Sequence, residues 1–159
     1  MALLLGSNVG NRAAMILQAI ERLSGQALHI ERISDLYETA AWGNTEQAAF
    51  YNCAVTGYTP FPPHLLLTKI LEIERQLGRE RLEKWGPRSI DIDILLYAKK
   101  HVDTQNLQIP HPQMQMRRFA LEPLTEIAPN MRHPLLRESA KKLLAKCVDE
   151  LEVIKTGLL

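Results

Sequence analysis

Lys84-Trp85-Gly86-Pro87-Arg88-Ser89-Ile90-Asp91-Ile92-Asp93-Ile94-Leu95-Leu96 sets two carboxylates two residues apart in an otherwise apolar, β-branched run. In a strand, residues i and i+2 share a face about 7 Å apart. Asp91 and Asp93 are therefore predicted to point together, with Ile90, Ile92, Ile94 and Leu96 turned into a core. Two acids side by side on a half-buried strand repel each other and resist desolvation, and a hard cation relieves both costs. The other reading is a solvated strand edge whose acids pair with Arg88 or Lys84. Oxygen donors suit magnesium, and no His/Cys cluster of zinc spacing is present.

Working outward, the elements before this strand alternate in a recognisable order. Ala2–Leu5 reads as a buried strand closed by Gly6-Ser7-Asn8. Asn11 caps a helix carrying Ile16, Leu17, Ile20 and Leu23 at helical spacing, with Gly25 expected to end it. Leu28, Ile30 and Ile33 lead an extended segment toward Tyr37 whose alternation slips, as at a bulge. Thr39 to Ala49 reads as a loop, and Phe50–Tyr58 as a strand. Pro62 and Pro63 open a second helix with Leu66, Ile70, Ile73 and Leu77 as its stripe and Gly78 as its stop. The order βαββαβ predicts a ferredoxin-like α/β (α+β) core, an antiparallel sheet with helices on one face. A C-terminal extension follows: a pairing of Val102 with Leu107–Ile109, the rigid Pro110-His111-Pro112, a helix from Phe119 to Ile127 interrupted by Pro123, and a last helix from Ala140 to Leu151.

The 159 residues suffice for one domain spanning 1–159, with ordinary globular composition. A net charge of +1 offers no bulk attraction for nucleic acid or membrane, so anion binding must come from local cations. Cys53 and Cys147 lie far apart and read as reduced thiols, and the short apolar N-terminus is no signal segment. A cytoplasmic protein is expected.

Beside the aspartates, Arg79, Arg81, Lys84 and Arg88 crowd one glycine-containing loop, a combination suited to polyphosphate unless the loop is simply solvated. Phe50 and Asn52 share a strand face, and Phe119 offers a second ring; ring, amide and ring suit a flat heteroaromatic ligand, unless both rings are core. Trp42 could cover such a pocket, and His111 between prolines could donate to phosphate or be structural. The Gly6–Arg12 turn lacks P-loop and dinucleotide spacings and by itself reads as a plain strand–helix connection.

Together these residues resemble the 6-hydroxymethyl-7,8-dihydropterin pyrophosphokinase family. The resemblance covers Gly6-Ser7-Asn8, Thr39 with Gly43, Phe50-x-Asn52, Glu74-x-x-Leu77-Gly78-Arg79, Gly86-Pro87-Arg88-Ser89-Ile90-Asp91-Ile92-Asp93-Ile94-Leu95, Pro110-His111, and Arg117-x-Phe119-x-Leu121-x-Pro123-Leu124. It implies pyrophosphate transfer from ATP, as co-substrate, to the pterin hydroxymethyl group, with release of AMP. It also implies two Mg2+ ions on Asp91 and Asp93, and charge stabilisation by Arg79 and Arg88. Glu74, Arg81, Ile94, His111 and Arg117 fall on the ATP side; Thr39, Ala40, Ala41, Trp42, Phe50, Asn52 and Phe119 on the pterin side. A monomer is expected, without nucleic-acid or membrane partners and without a fused dihydropteroate synthase. Departures from the family pattern are Ala40-Ala41 where prolines are frequent, Pro112 after His111, and Arg118 beside Arg117, which leaves open which guanidinium faces the site. Two other classes fit parts of the pattern: a ferredoxin-like binding module without catalysis, and a nucleotidyltransferase using D-x-D. The acid pair with its basic loop weighs against the first and the neutral charge against the second.

Overall fold

A computed structural model describes residues 1–40, 48–79 and 88–157. Strand β1 (Ala2–Ser7) is buried throughout and pairs antiparallel with two neighbours, β4 (Phe50–Tyr58) and β5 (Asp91–Leu96). The extended segment after the first helix is broken into β2 (His29–Ile33) and β3 (Leu36–Thr39), which pair in line with the two halves of β4. Ser34 makes the break: its N–H donates to the Ala54 carbonyl at 2.9 Å and its Oγ accepts from the Ala54 N–H. Counting β2 and β3 as one interrupted strand, the order β5-β1-β4-β3 is that of the ferredoxin-like sheet.

Helix α1 (Arg12–Gln26) is capped by Asn11, whose Oδ1 accepts from the Ala14 N–H at 3.1 Å. It runs through Gly25, the expected stop, because the Ala27 and Leu28 amides still reach the Leu23 carbonyl. Helix α2 (Pro63–Gln76) ends at Gly78, whose φ of +77° suits a residue without Cβ. Leu3, Leu5, Cys53, Val55, Ile90, Ile92 and Ile94 pack with Ile16, Leu23, Leu66, Ile70 and Ile73 into one core on this face.

The two helices of the βαββαβ core lie on one face, as expected, and the helices of the C-terminal extension lie on the other. Helices α3 (Arg118–Ile127) and α4 (Ala140–Lys146) cover the opposite face, burying Ala2, Leu4, Ala54, Leu95 and Leu96. Leu96 joins this second core, not that of the isoleucines, because the β1–β5 register shifts between Ala2 and Leu3. Pro123 does not interrupt α3 and is buried within it. The last helix stops at Lys146, short of the expected Leu151, leaving Val148 exposed. A strand absent from the sequence reading, β8 (Val153–Gly157), then adds to β3. The hairpin β6 (Val102–Thr104) and β7 (Leu107–Ile109) forms as expected.

Candidate active site

Residues directly opposite on antiparallel strands share a sheet face. The registers Asp91↔Gly6, Gly6↔Asn52 and Asn52↔Tyr37 therefore lay one transverse row across β5, β1, β4 and β3. Asp93 falls opposite Leu4 on the same face, so the pair expected on one strand side is there. This face belongs to the α3/α4 side, where Leu4 and Ala54 begin the apolar core. The site thus occupies the end of a face whose other end is hydrophobic.

Asp91 is held by two guanidiniums. Arg79 approaches its Oδ1 at 2.8 Å, and Arg88 Nη1 pairs with its Oδ2. Arg79 also pairs with Glu74, whose Oε1 accepts from the Ile92 N–H at 2.8 Å. Glu74 is buried, and desolvation raises its pKa while Arg79 opposes the shift. It anchors Arg79 to the start of β5 and lies beneath the site. Asp93 is pushed up to about 7, first by desolvation and then by the Asp91 charge, with Arg117 and Arg88 pulling it down. A carboxylate held back from ionising by burial and a neighbouring acid is the environment a cation relieves. Among the described residues no third His, Cys, Asp or Glu joins the pair. Two carboxylates with the remaining coordination left to water and phosphate is the donor set of magnesium, so the residues fit that ion.

Arg88 is fixed through its backbone. Asn8 Oδ1 accepts from the Arg88 N–H at 2.7 Å, and the Asn8 N–H donates to the Arg88 carbonyl at 3.2 Å. Asn8 Nδ2 also reaches the Ala48 carbonyl at 3.4 Å, while Arg12 donates to the Ala49 carbonyl at 2.7 Å and pairs with Glu38. The turn that looked like a plain connection thus ties β5 to the segment entering β4. Sequence reasoning missed this, since the two halves of the Asn8–Arg88 clamp lie 80 positions apart.

A cavity of about 600 Å³ opens beside Asp93, lined by Leu67, Ile92, Ile94, His111 and the β6–β7 hairpin from Asp103 to Gln108. Ile94 and His111 are among the candidate residues named from the sequence; Leu67 and the hairpin are not, because no residue type in Asp103–Gln108 announces chemistry. Burial lowers the His111 pKa to about 4, so the ring is neutral. Its Nδ1 accepts from the Gln113 N–H at 3.2 Å, which leaves Nε2 to carry the proton and donate. Arg117 is nearly buried, packs 5.6 Å from the Phe119 ring centroid and bears electrostatically on Asp93 and Asp91. Arg118 turns away: its Nε bonds Glu122 at 3.1 Å and its N–H donates to Asp149. The open choice between the two arginines falls to Arg117.

On the other side of Gly6, Asn52 and Thr39 are buried, and Asn52 Nδ2 donates to Thr39 Oγ1 at 2.8 Å. Phe50 and Phe119 are both half-buried, and Ala40 is exposed. Ala41, Trp42 and Arg81 lie outside the described residues.

Residues 2–129 match the family model for 7,8-dihydro-6-hydroxymethylpterin-pyrophosphokinase. A 2-amino-4-hydroxy-6-hydroxymethyldihydropteridine pyrophosphokinase of Aquifex aeolicus is 47% identical over 138 residues, covering 87% of this chain and 86% of that one. One of Methylorubrum extorquens is 43% identical over 143 residues, covering 89% of each. A crystal structure of an HPPK-DHPS in complex with substrates superposes with a TM-score of 0.71 at 16% identity, a likeness of fold; it covers 91% of this chain, which spans 42% of that one. The chain belongs to the 7,8-dihydro-6-hydroxymethylpterin-pyrophosphokinase family.

Proposed function

We propose that the protein transfers pyrophosphate from ATP to the hydroxymethyl group of 6-hydroxymethyl-7,8-dihydropterin, releasing AMP, as a step of folate biosynthesis. The observation that carries this reading is the Asp91/Asp93 pair, ringed by Arg79, Arg88 and Arg117 and opening on the cavity under the β6–β7 hairpin. Family membership sets aside the non-catalytic module and the nucleotidyltransferase.

In this reading the pterin alcohol oxygen bonds to the β-phosphorus while the bond from that phosphorus to the α–β bridging oxygen breaks. AMP leaves with that oxygen, and the alcohol proton passes to solvent. Such a transfer asks for alignment and charge neutralisation more than for covalent help. Asp91 and Asp93 would hold two magnesium ions, which when bound offset phosphate charge and acidify the alcohol. Arg79 and Arg88, which pair with Asp91, would take up phosphate charge. Neutral His111 offers Nε2–H to a phosphate oxygen, and Arg117 adds a buried charge. Leu67, Ile94 and Leu107 give the cavity apolar walls for the adenine. Phe50 and Phe119 would sandwich the pterin, and Asn52 and Thr39 would read its edge beside Ala40; Glu74 supports Arg79 from beneath. We place the enzyme in the cytoplasm as a monomer; among the described residues no helix is long and apolar enough to cross a membrane.

The test is incubation with ATP, magnesium and hydroxymethyl-dihydropterin. AMP formed only when the pterin is present is the expected result; pterin binding without AMP would overturn it.

A further inference from the structure

Gly6 sits in the middle of the transverse row, opposite Asp91 on one side and Asn52 on the other. Two inter-strand spacings of about 4.8 Å put those flanking residues roughly 10 Å apart across the sheet, comparable with a two-ring heterocycle bearing a one-carbon arm. The position between them has no side chain. A Cβ built there would stand 3.1 Å from Asn52 Oδ1 and 3.7 Å from Phe50 Cδ1. Asn52 has little freedom to retreat, being buried and tied through Nδ2 to Thr39. The backbone supplies no other reason for glycine: Gly6 is not among the positive-φ glycines and pairs regularly with both neighbours. An interior strand glycine normally weakens a sheet.

Resting on the proposed activity, we propose that Gly6 is a specificity-determining residue of the pterin subsite. Its missing side chain leaves a bare strip of β1 across which the flat ring lies, edge at Asn52 and hydroxymethyl arm toward Asp91. A methyl group at this position lifts the ring from the sheet and turns Asn52 Oδ1 from its edge. The ATP cavity lies on the far side of β5 from Gly6, lined by Asp93, His111 and the hairpin, and is untouched by the change.

The experiment is Gly6→Ala, with Gly6→Val as the larger step. Pterin affinity is read by fluorescence with magnesium and a non-hydrolysable ATP analogue present, analogue affinity is read separately, and thermal melting follows the fold. Gly6→Ala is expected to weaken pterin binding roughly tenfold, raise the pterin KM, leave analogue affinity unchanged and lower the melting temperature only modestly, the protein staying folded. Gly6→Val is expected to weaken pterin binding further. Wild-type pterin affinity in a folded Gly6→Ala protein would overturn the proposal, as would an equal loss of analogue affinity. Failure of the wild-type protein to bind the pterin would instead overturn the proposed activity.

Discussion

The two faces of the β5-β1-β4 sheet are built from the same strands yet differ in kind. Toward α1 and α2, alternate residues Leu3, Leu5, Cys53, Val55, Ile92 and Ile94 form an unbroken apolar layer. Toward α3 and α4 the layer is divided. Leu4, Ala54 and Leu95 are core, but the next places along the strands hold Asp93 and then Asp91 on β5, Gly6 on β1 and Asn52 on β4. The uniform face holds the sheet rigid so that the divided face can keep the acid pair in place, with Asp93 where desolvation opposes its charge. Stability and chemistry are thus assigned to residues that alternate along the same strands.

Breaking the uniform face should produce the largest effect. Leu5→Ala, at a fully buried position, is expected to cost about 2–5 kcal/mol in chemical denaturation, while the protein that remains folded keeps its substrate affinities. A comparable loss of turnover without loss of stability would erase the distinction between the faces. Asp93→Asn should do the reverse. Turnover with magnesium is expected to fall on the order of 10²–10³-fold, with no loss of melting temperature.

The pH dependence sharpens that second prediction. The Asp93 pKa is raised from 3.8 to about 7 in the folded protein, so the folded state binds the more protons between those values. Its contribution to stability is therefore full below 3.8 and is lost as pH rises through about 7. In metal-free buffer, the melting temperature of Asp93→Asn relative to wild type should climb across this window. A flat difference would show that Asp93 is not held back from ionising.

Asn8→Ala removes half of the clamp on the Arg88 backbone while leaving the guanidinium in place. A roughly tenfold lower kcat, the equivalent of about 1.4 kcal/mol, is expected with little change in pterin KM. An effect confined to KM would argue against a positioning role. The smallest effect is expected at the end of the row. Tyr37 donates to Glu126 at 2.9 Å, and burial with that bond pushes its pKa up to about 12. Tyr37→Phe should cost about 1 kcal/mol of stability and leave turnover intact; a loss of turnover would extend the site along the row to β3.

The acid pair was legible because strand periodicity alone places Asp91 beside Asp93, and the flanking isoleucines identify the opposite face as core. The Asn11 cap and the Gly78 stop were legible for the same local reason. β8 was not, since Val153–Gly157 is short, half polar and recruited to an edge by a partner more than a hundred residues earlier. The hairpin wall of the cavity was hidden likewise, its residues becoming a site only by facing Asp93 and His111.

What the sequence by itself determined are the features set within one element: which strand carries the carboxylates, which way they point and which helices have apolar stripes. Only the tertiary structure decided the rest. It assigned Arg117 to the acids and Arg118 to Glu122, gave Arg88 its Asn8 clamp and set Gly6 between Asp91 and Asn52. Side-chain periodicity is a property of the local backbone, whereas cross-strand neighbours and buried charge partners depend on register and packing between segments far apart in the chain.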